Sequence, residues 1–387
     1  MHLTRVVLYE NRTPFVFRFQ SPHTKWTEAR SIIISLGFDN GIFAWGESSP
    51  RPYVTGEDCA SVLKVLKTCL GPKLIGTEIT PHHTVADIKV MMEAFATDAL
   101  SSEMPVNSAL GAVDLALLDA LGKLRQESIA TVLGLPQRSD LLYSTTVQII
   151  STETVKKHYA VARDYPFKHF KIALSGDPDA DMERVSAIRS LAGDHISMGL
   201  EGNGKLTMPQ LERILAAMPL TAFTFFEQPL APTAIDELKE IRSNIPIPVV
   251  ADESACSFED VVAISESGLF DRINIKISKC GGFLQSLQIA DYAKKHGLSC
   301  HLGAHVGESL ILGAAGICFA MTAPGLQLME TGSSLLFGEP PMFLPSDGES
   351  ACHVSARGPG RAPGLGIDLS EVSAGKRFGH PVAIIEH

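Results

Sequence analysis

The sequence predicts an α/β protein: a closed (β/α)8 barrel of the TIM type, with an α+β domain ahead of it. Three observations predict it. After about residue 140, eight short apolar runs alternate with amphipathic stretches. Seven of those runs end on a regular beat of about 24 to 29 residues, and the first hundred residues follow a different, strand-rich pattern.

In that first part VVLYE, PFVFRFQ and ARSIIISLGFDNGIFAWGESS read as strands. Their β-branched and aromatic residues are bounded by Asn, Asp and Gly, and FDNG is the expected hairpin turn. GEDCASVLKVLKTCLGPKLIG then changes to apolar residues three and four apart, a helical period. ALGAVDLALLDALGKL, residues 109–124, is apolar almost all round. It is expected as a helix sandwiched between layers, with Asn107 or Ser108 as its N-cap.

The barrel strands are expected in YSTTVQI, HFKIAL, ISMGLE, FTFFEQ, IPVVADE, RINIKIS, LSCHLGAH and LQLMET. Between them DADMERVSAIRSLAG, TMPQLERILAAM, FEDVVAISESG and FLQSLQIADYAKKHG read as helices. One strand, one helix and two short loops fit the repeat length. An open doubly wound sheet is the alternative arrangement, and the strand count and even spacing favour closure. Beyond about residue 335 the rhythm breaks in GEPPMFLPSDGES and ARGPGRAPGLGIDL, so this tail is expected to leave the barrel and return to the first domain. The expected division is 1–130 for the α+β domain, 131–335 for the barrel and 336–387 for the returning segment.

Composition bounds the function. With 45% hydrophobic and 20% charged residues the chain can fill a large core, and its net charge of -10 offers no basic surface to nucleic acid or anionic membrane. The seven cysteines are scattered without a CxxC pair, which suits buried thiols in a reducing compartment. MHLTRVVLYENRTPF does not read as a signal peptide, and no stretch approaches a membrane span, so a cytoplasmic location is expected.

The strand ends carry the chemistry. Side chains of a barrel strand alternate between interior and helix layer, and barrel sites form at the C-terminal strand ends. In HFKIAL, Phe170, Ile172 and Leu174 fall outward, and His169, Lys171 and Ala173 inward. In RINIKIS the isoleucines fall outward, and Asn274 and Lys276 inward. Glu201, Glu227 and Asp252 end three consecutive strands. One such carboxylate is as often a helix cap as a ligand, but three at one mouth repel unless a cation offsets them. Oxygen-only ligands suit Mg2+ or Mn2+ better than Zn2+. A metal nearby is expected to move Lys276 toward a neutral base. His305 and Glu330, ending the next two runs, could equally be structural.

FFEQPL, VADES, NIKISKCGG and the EGN of MGLEGNG resemble the enolase superfamily, in particular its muconate lactonizing enzyme subgroup. WGESSPRPYVTGED, the 109–124 helix and GLGIDL resemble its capping domain and returning tail. The resemblance implies that Glu201, Glu227 and Asp252 are metal ligands, with Glu201 where Asp is more frequent, and that Lys276 is an acid/base lysine. It further implies removal of a proton α to a carboxylate bound at Mg2+, through an enediolate. Loops around Gln20 to Trp26 and Pro50 to Thr55 would read the remainder of the substrate, with Trp26, Tyr53, Asn203 and Glu330 as contacts, Glu330 toward an ammonium group. A small-molecule carboxylate as partner and a homo-oligomer are also implied.

In one place the chain departs from the subgroup. Its second barrel strand usually ends in Lys-x-Lys, and here the motif reads Lys171-Ile172-Ala173. Ala173 can neither give nor take a proton, so one-base cycloisomerisation or β-elimination of water (dehydration) is the expected reaction. An epimerase or racemase of dipeptides or amino-acid derivatives, recruiting His305 or Lys171, is the alternative. A non-catalytic binding barrel is a third.

Overall fold

The computed structural model describes residues 1–16, 27–100, 105–343 and 359–386. Eight parallel strands close into a barrel: β4 (Tyr143–Val147), β5 (His169–Ala173), β6 (Ser197–Glu201), β7 (Phe226–Glu227), β8 (Val249–Ala251), β9 (Arg272–Ile275), β10 (Ser299–Leu302) and β11 (Leu326–Glu330). They follow one another round the ring in chain order, with β11 closing on β4 and β9 on β10. Ahead of them β1 (Leu3–Pro14), β2 (Glu28–Phe38) and β3 (Phe43–Ser48) form an antiparallel meander. A tail strand, β12 (Ala383–Glu386), pairs with β1 to complete a four-stranded sheet.

The alternation of HFKIAL is realised. His169 stacks flat on Phe225 inside the barrel, their ring centroids 5.1 Å apart, while Phe170 meets Tyr159 of the helix layer. Phe225, Val250 and Leu328 form an apolar floor in the interior. Gly199 makes room for it, because a Cβ there would lie 2.4 Å from the Phe225 ring.

The helix Asn107–Arg125 is enclosed from Ser108 to Gly122 between the β1–β3 sheet and the barrel helix Phe283–Lys295. Its Ala- and Leu-rich composition favours helix, and apolar residues on every side suit a helix with no wet face. Neither Asn107 nor Ser108 caps it. The helix begins one residue after Val106, and Glu57 accepts the Ser108 N–H at 2.8 Å, leaving the Ser108 hydroxyl to bond Ser278 across the domain boundary. A carboxylate remote in sequence has replaced a local cap. PFVFRFQ also differs from expectation. β1 ends at Pro14, which cannot donate to a ladder, Phe15 and Val16 are not strand, and Phe17 onward lies outside the described residues.

The meander domain is fixed to the barrel by buried carboxylates at barrel-helix N-termini. Glu47 of β3 accepts the Ser309 N–H at 2.8 Å and the Leu312 N–H at 3.0 Å, at the start of the helix Leu310–Thr322. Asp114 accepts the Phe283 and Leu284 N–H groups at the start of Phe283–Lys295. Here Gly282 adopts φ +116°, and a Cβ on it would collide with Asp114. Asp119 accepts Trp45 N–H at 2.9 Å and Leu365 N–H at 2.8 Å, tying the tail to the same helix.

Burial pushes the Asp114 carboxyl up to about 7, against the lowering effect of its two backbone donors. The folded chain therefore holds a proton there that the unfolded chain, with a carboxyl near ~3.9, has released. The stability penalty is absent below about pH 4, grows between roughly 4 and 7, and is complete above that. Asp114→Asn keeps an acceptor for both donors without the charge. Wild type should lose melting temperature relative to this variant as pH rises from 4 to 8; a constant difference between them would contradict the assignment.

Candidate active site

Glu201, Glu227 and Asp252 converge at the barrel mouth. They belong to consecutive positions around the ring, Glu201 lies directly beside Glu227 in the β6–β7 register, and one oxygen from each lies within 4.8 Å of the others. All three are at most 3% exposed. Each is aimed by neighbours: Asn203 N–H donates to Glu201 at 2.6 Å, Asn274 Nδ2 to Glu227 at 2.7 Å, and the Asp252 N–H is held by Gln228 Oε1 at 2.9 Å.

Three ammonium groups reach into this cluster. Lys171, from the interior face of β5, contacts Glu201 at 3.0 Å, Glu227 at 2.7 Å and Glu330 at 2.6 Å. Lys276, just beyond β9, is paired with Asp252 Oδ2. Lys279 reaches Asp252 Oδ1 at 2.9 Å and the Asp252 and Asn274 carbonyls, each at 2.7 Å.

Burial first, and then Glu227, push the Glu201 carboxyl well above the usual range. Burial is the largest influence on Glu227 and Asp252 and would raise both, but Lys171 together with the Glu201 hydrogen bond and Lys276 at Glu227, and Lys276, Lys279 and Lys171 together at Asp252, hold both low. Burial, followed by Asp252, pushes Glu253 up to about 7. The chain's own cations thus do not satisfy every carboxylate at this mouth, and the all-oxygen donor set fits a hard divalent ion. At Lys276 the protein's own groups pull in two directions. Burial would lower it, but the Asp252 and Glu253 carboxylates prevail and hold it charged.

A cavity of about 80 Å³ opens on these groups, with Tyr53, Lys171, Ala173, Lys276, His305 and Glu330 on its wall. Lys276 and Ala173 stand on β9 and β5 positions, four strands apart round the ring, so they face each other across it. His305 follows β10, the neighbour of β9, and shares the Lys276 flank. Its Nδ1 bonds the Ser49 carbonyl at 2.7 Å. Glu330 faces inward, paired with Lys171. Asn203 lines the cavity, and Tyr53 comes from the short helix Pro52–Thr55. Trp26 and the rest of the Gln20 to Trp26 loop lie outside the described residues.

Sequence reasoning passed over Lys279 and Gln148. Lys279 could have been found in NIKISK, where a second lysine three residues after an inward one remains at the mouth. Gln148 lines the cavity just beyond β4, where strand-end logic applied to YSTTVQ would have pointed.

Comparison with known proteins agrees with this architecture. Residues 153–373 match the family model described as "Enolase C-terminal domain-like", and residues 3–134 that of the "Mandelate racemase / muconate lactonizing enzyme, N-terminal domain". The chain is 26% identical over 372 residues to an N-succinyl-L-Arg/Lys racemase of Bacillus cereus, covering 96% of each. It is 26% identical over 283 residues to a hydrophobic dipeptide epimerase of Enterococcus faecalis, covering 73% of this chain and 77% of that one. To muconate cycloisomerase 1 of Rhodococcus opacus it is 25% identical, covering 92% and 93%. Among solved structures, the B. cereus racemase superposes with a TM-score of 0.84 over the whole of both chains at 24% identity. The E. faecalis dipeptide epimerase, complexed with Mg and L-Leu-L-Tyr, has a TM-score of 0.79 at 23% identity, covering 95% of this chain and all of that one. The chain belongs to the mandelate racemase/muconate lactonizing enzyme family of the enolase superfamily.

Proposed function

We propose that this chain is a Mg2+-dependent enzyme that removes the proton α to the carboxylate of an amino-acid derivative, with Lys276 as base, and epimerises or racemises that centre. The observation that carries the proton abstraction is Lys276 beside the triad Glu201, Glu227 and Asp252 in one cavity. The amino-acid class and the isomerase outcome are supported by the relatives, which include a racemase of N-succinylated amino acids and several dipeptide epimerases. They favour this alternative over the cycloisomerisation or dehydration first expected, although a muconate cycloisomerase is also among them.

Glu201, Glu227 and Asp252 would hold the ion, which when bound supplies Lewis-acid polarisation of the substrate carboxylate and engages the Asp252 charge that otherwise keeps Lys276 protonated. Lys276 takes the α-proton from its side of the cavity. Lys171, the cation of the opposite strand β5, is the candidate to return a proton from the other side. Tyr53 and Asn203, on the cavity wall, would help keep water from the carbanionic face.

A second reading is favoured by Ala173. With no acid/base group at the end of β5, proton traffic would be confined to the Lys276 flank, giving cycloisomerisation or syn elimination. Proton NMR in D2O with Mg2+, offering N-acyl amino acids, dipeptides, hydroxy acids and muconate-type diacids, separates the two. Deuterium incorporation with inversion is expected for the epimerase; exchange with retention, or a cyclised or dehydrated product, would replace it with the one-base reading.

Lys276→Ala should lower kcat by ~10²- to 10⁴-fold, the range for loss of a general base. Near wild-type turnover would remove Lys276 from the mechanism. Lys171→Met leaves Glu201, Glu227 and Glu330 without their shared partner and should destabilise the metal-free chain by about 3–5 kcal/mol. Added Mg2+ should restore more melting temperature to this variant than to wild type. A wild type that binds no Mg2+ by calorimetry would instead support a barrel that only binds.

A further inference from the structure

His305 is held in an unusual way for a residue on a reactive cavity. Its backbone N–H donates to Glu308 at 2.7 Å, and its Nδ1 lies 2.7 Å from the Ser49 carbonyl. Ser49 is itself fixed, its N–H donating to Ser278 Oγ at 2.8 Å. A carbonyl oxygen can only accept, so the proton of this bond belongs to Nδ1. The other ring nitrogen, Nε2, is buried, has no partner among the described residues, and belongs to a side chain that lines the cavity while being only 4% exposed overall. A buried polar atom without a partner is costly, and one bordering a ligand cavity is an open half of a hydrogen bond.

The sign of that half follows from the surroundings. A second proton on the ring would place a cation in a buried site already facing Lys276 and Arg51, with Asp252 opposing them and the neighbouring Glu308 carboxyl itself pushed up to about 8 by burial. The ring is therefore neutral, and Nε2 presents a lone pair. The charged groups beside it are Lys276, Asp252 and Glu253, and the Tyr53 phenol is the other neutral side chain on that part of the wall.

We infer that His305 is a specificity-determining residue, a fixed neutral acceptor that receives an N–H of the substrate. The inference rests on the amino-acid-derivative reading above and deepens it. The site selects substrates whose α-nitrogen keeps a hydrogen, secondary amides such as N-acyl amino acids and peptides, over tertiary amides and esters. A neutral acceptor suits an uncharged amide better than a free ammonium, which would call for a carboxylate.

Two variants divide the ring's functions. His305→Asn puts an amide N–H where Nδ1 was and deletes the acceptor; His305→Gln puts an amide oxygen where Nε2 was and deletes the Ser49 anchor. Matched substrate pairs, an N-acetyl or N-succinyl amino acid and its N-methyl counterpart, are compared by α-proton exchange in D2O with Mg2+. N-methylation should cost wild type and His305→Gln ~10-fold or more in kcat/KM and should cost His305→Asn little. Equal penalties in wild type and His305→Asn would overturn the inference while leaving the proposed reaction intact. Nitrogen-15 NMR of the imidazoles, with the His305 signals identified by their loss in His305→Gln, should give a protonated Nδ1 and an unprotonated Nε2. The opposite tautomer or an imidazolium would overturn the inference whatever the substrate. Exchange of no amino-acid derivative by wild type would remove the proposed reaction, and the substrate preference with it, even if the tautomer is as stated.

Discussion

Enclosing several like charges at the mouth of one barrel is the constraint on which the rest of this structure depends. Glu201, Glu227, Asp252, Glu253 and Glu330 are gathered where little water reaches them, and Lys171, Lys276 and Lys279 are the cations that oppose them. Such groups are costly together unless they are held in fixed positions beside partners of opposite charge. Parallel strands meet that requirement cheaply in conformational terms, because each contributes one or two inward side chains from a rigid element. The register that aligns β6 with β7 then fixes the distance between neighbouring carboxylates. The apolar floor of Phe225, Val250 and Leu328 lies beneath them.

The same chemistry, with backbone donors in place of ammonium groups, joins the two domains. Glu47 and Asp114 project from the meander domain into the N-termini of barrel helices, and Glu57 does so within its own domain. Each supplies the acceptor that an uncapped helix end lacks. The meander domain is thereby positioned by directional bonds as well as by apolar contact, and the loop that brings Ser49 and Tyr53 to the cavity inherits that precision. Burial raises the carboxyl groups of Glu47, Glu57 and Asp114, so the join is made of groups reluctant to be charged.

Much of this was legible in the sequence because it depends on periods. The repeat of about 24 to 29 residues identified a closed barrel, and the two-residue alternation within HFKIAL and RINIKIS sorted Lys171, Asn274 and Lys276 to the inside. What escaped depends on meetings between distant residues. Nothing local in ALGAVDLALLDALGKL announces that Glu57 caps its helix, and no pattern in the last residues announces pairing with β1. The strand rule placed Lys171 inside but could not choose its partners, and it gave no sign that Asp252 and Glu253 would favour the charged form of Lys276. The helix Val85–Leu100 was within reach: Thr84 and Asp87 form a local cap, the Thr84 N–H donating to Asp87 at 2.7 Å.

At Ser49 both contacts that matter are made by the main chain, the N–H to Ser278 and the carbonyl to His305. Nineteen of the twenty residue types carry that N–H, and all carry the carbonyl. The Ser49 side chain is fully buried, so position 49 can change only among residues small enough for that space, and such changes leave the ring it orients undisturbed. Proline is the exception, since it would release the hold on Ser278. Exchange among small residues here calls for no matching change at 305, although the two residues are in direct contact. The coupling is written in the shape of the chain, where substitution cannot easily erase it.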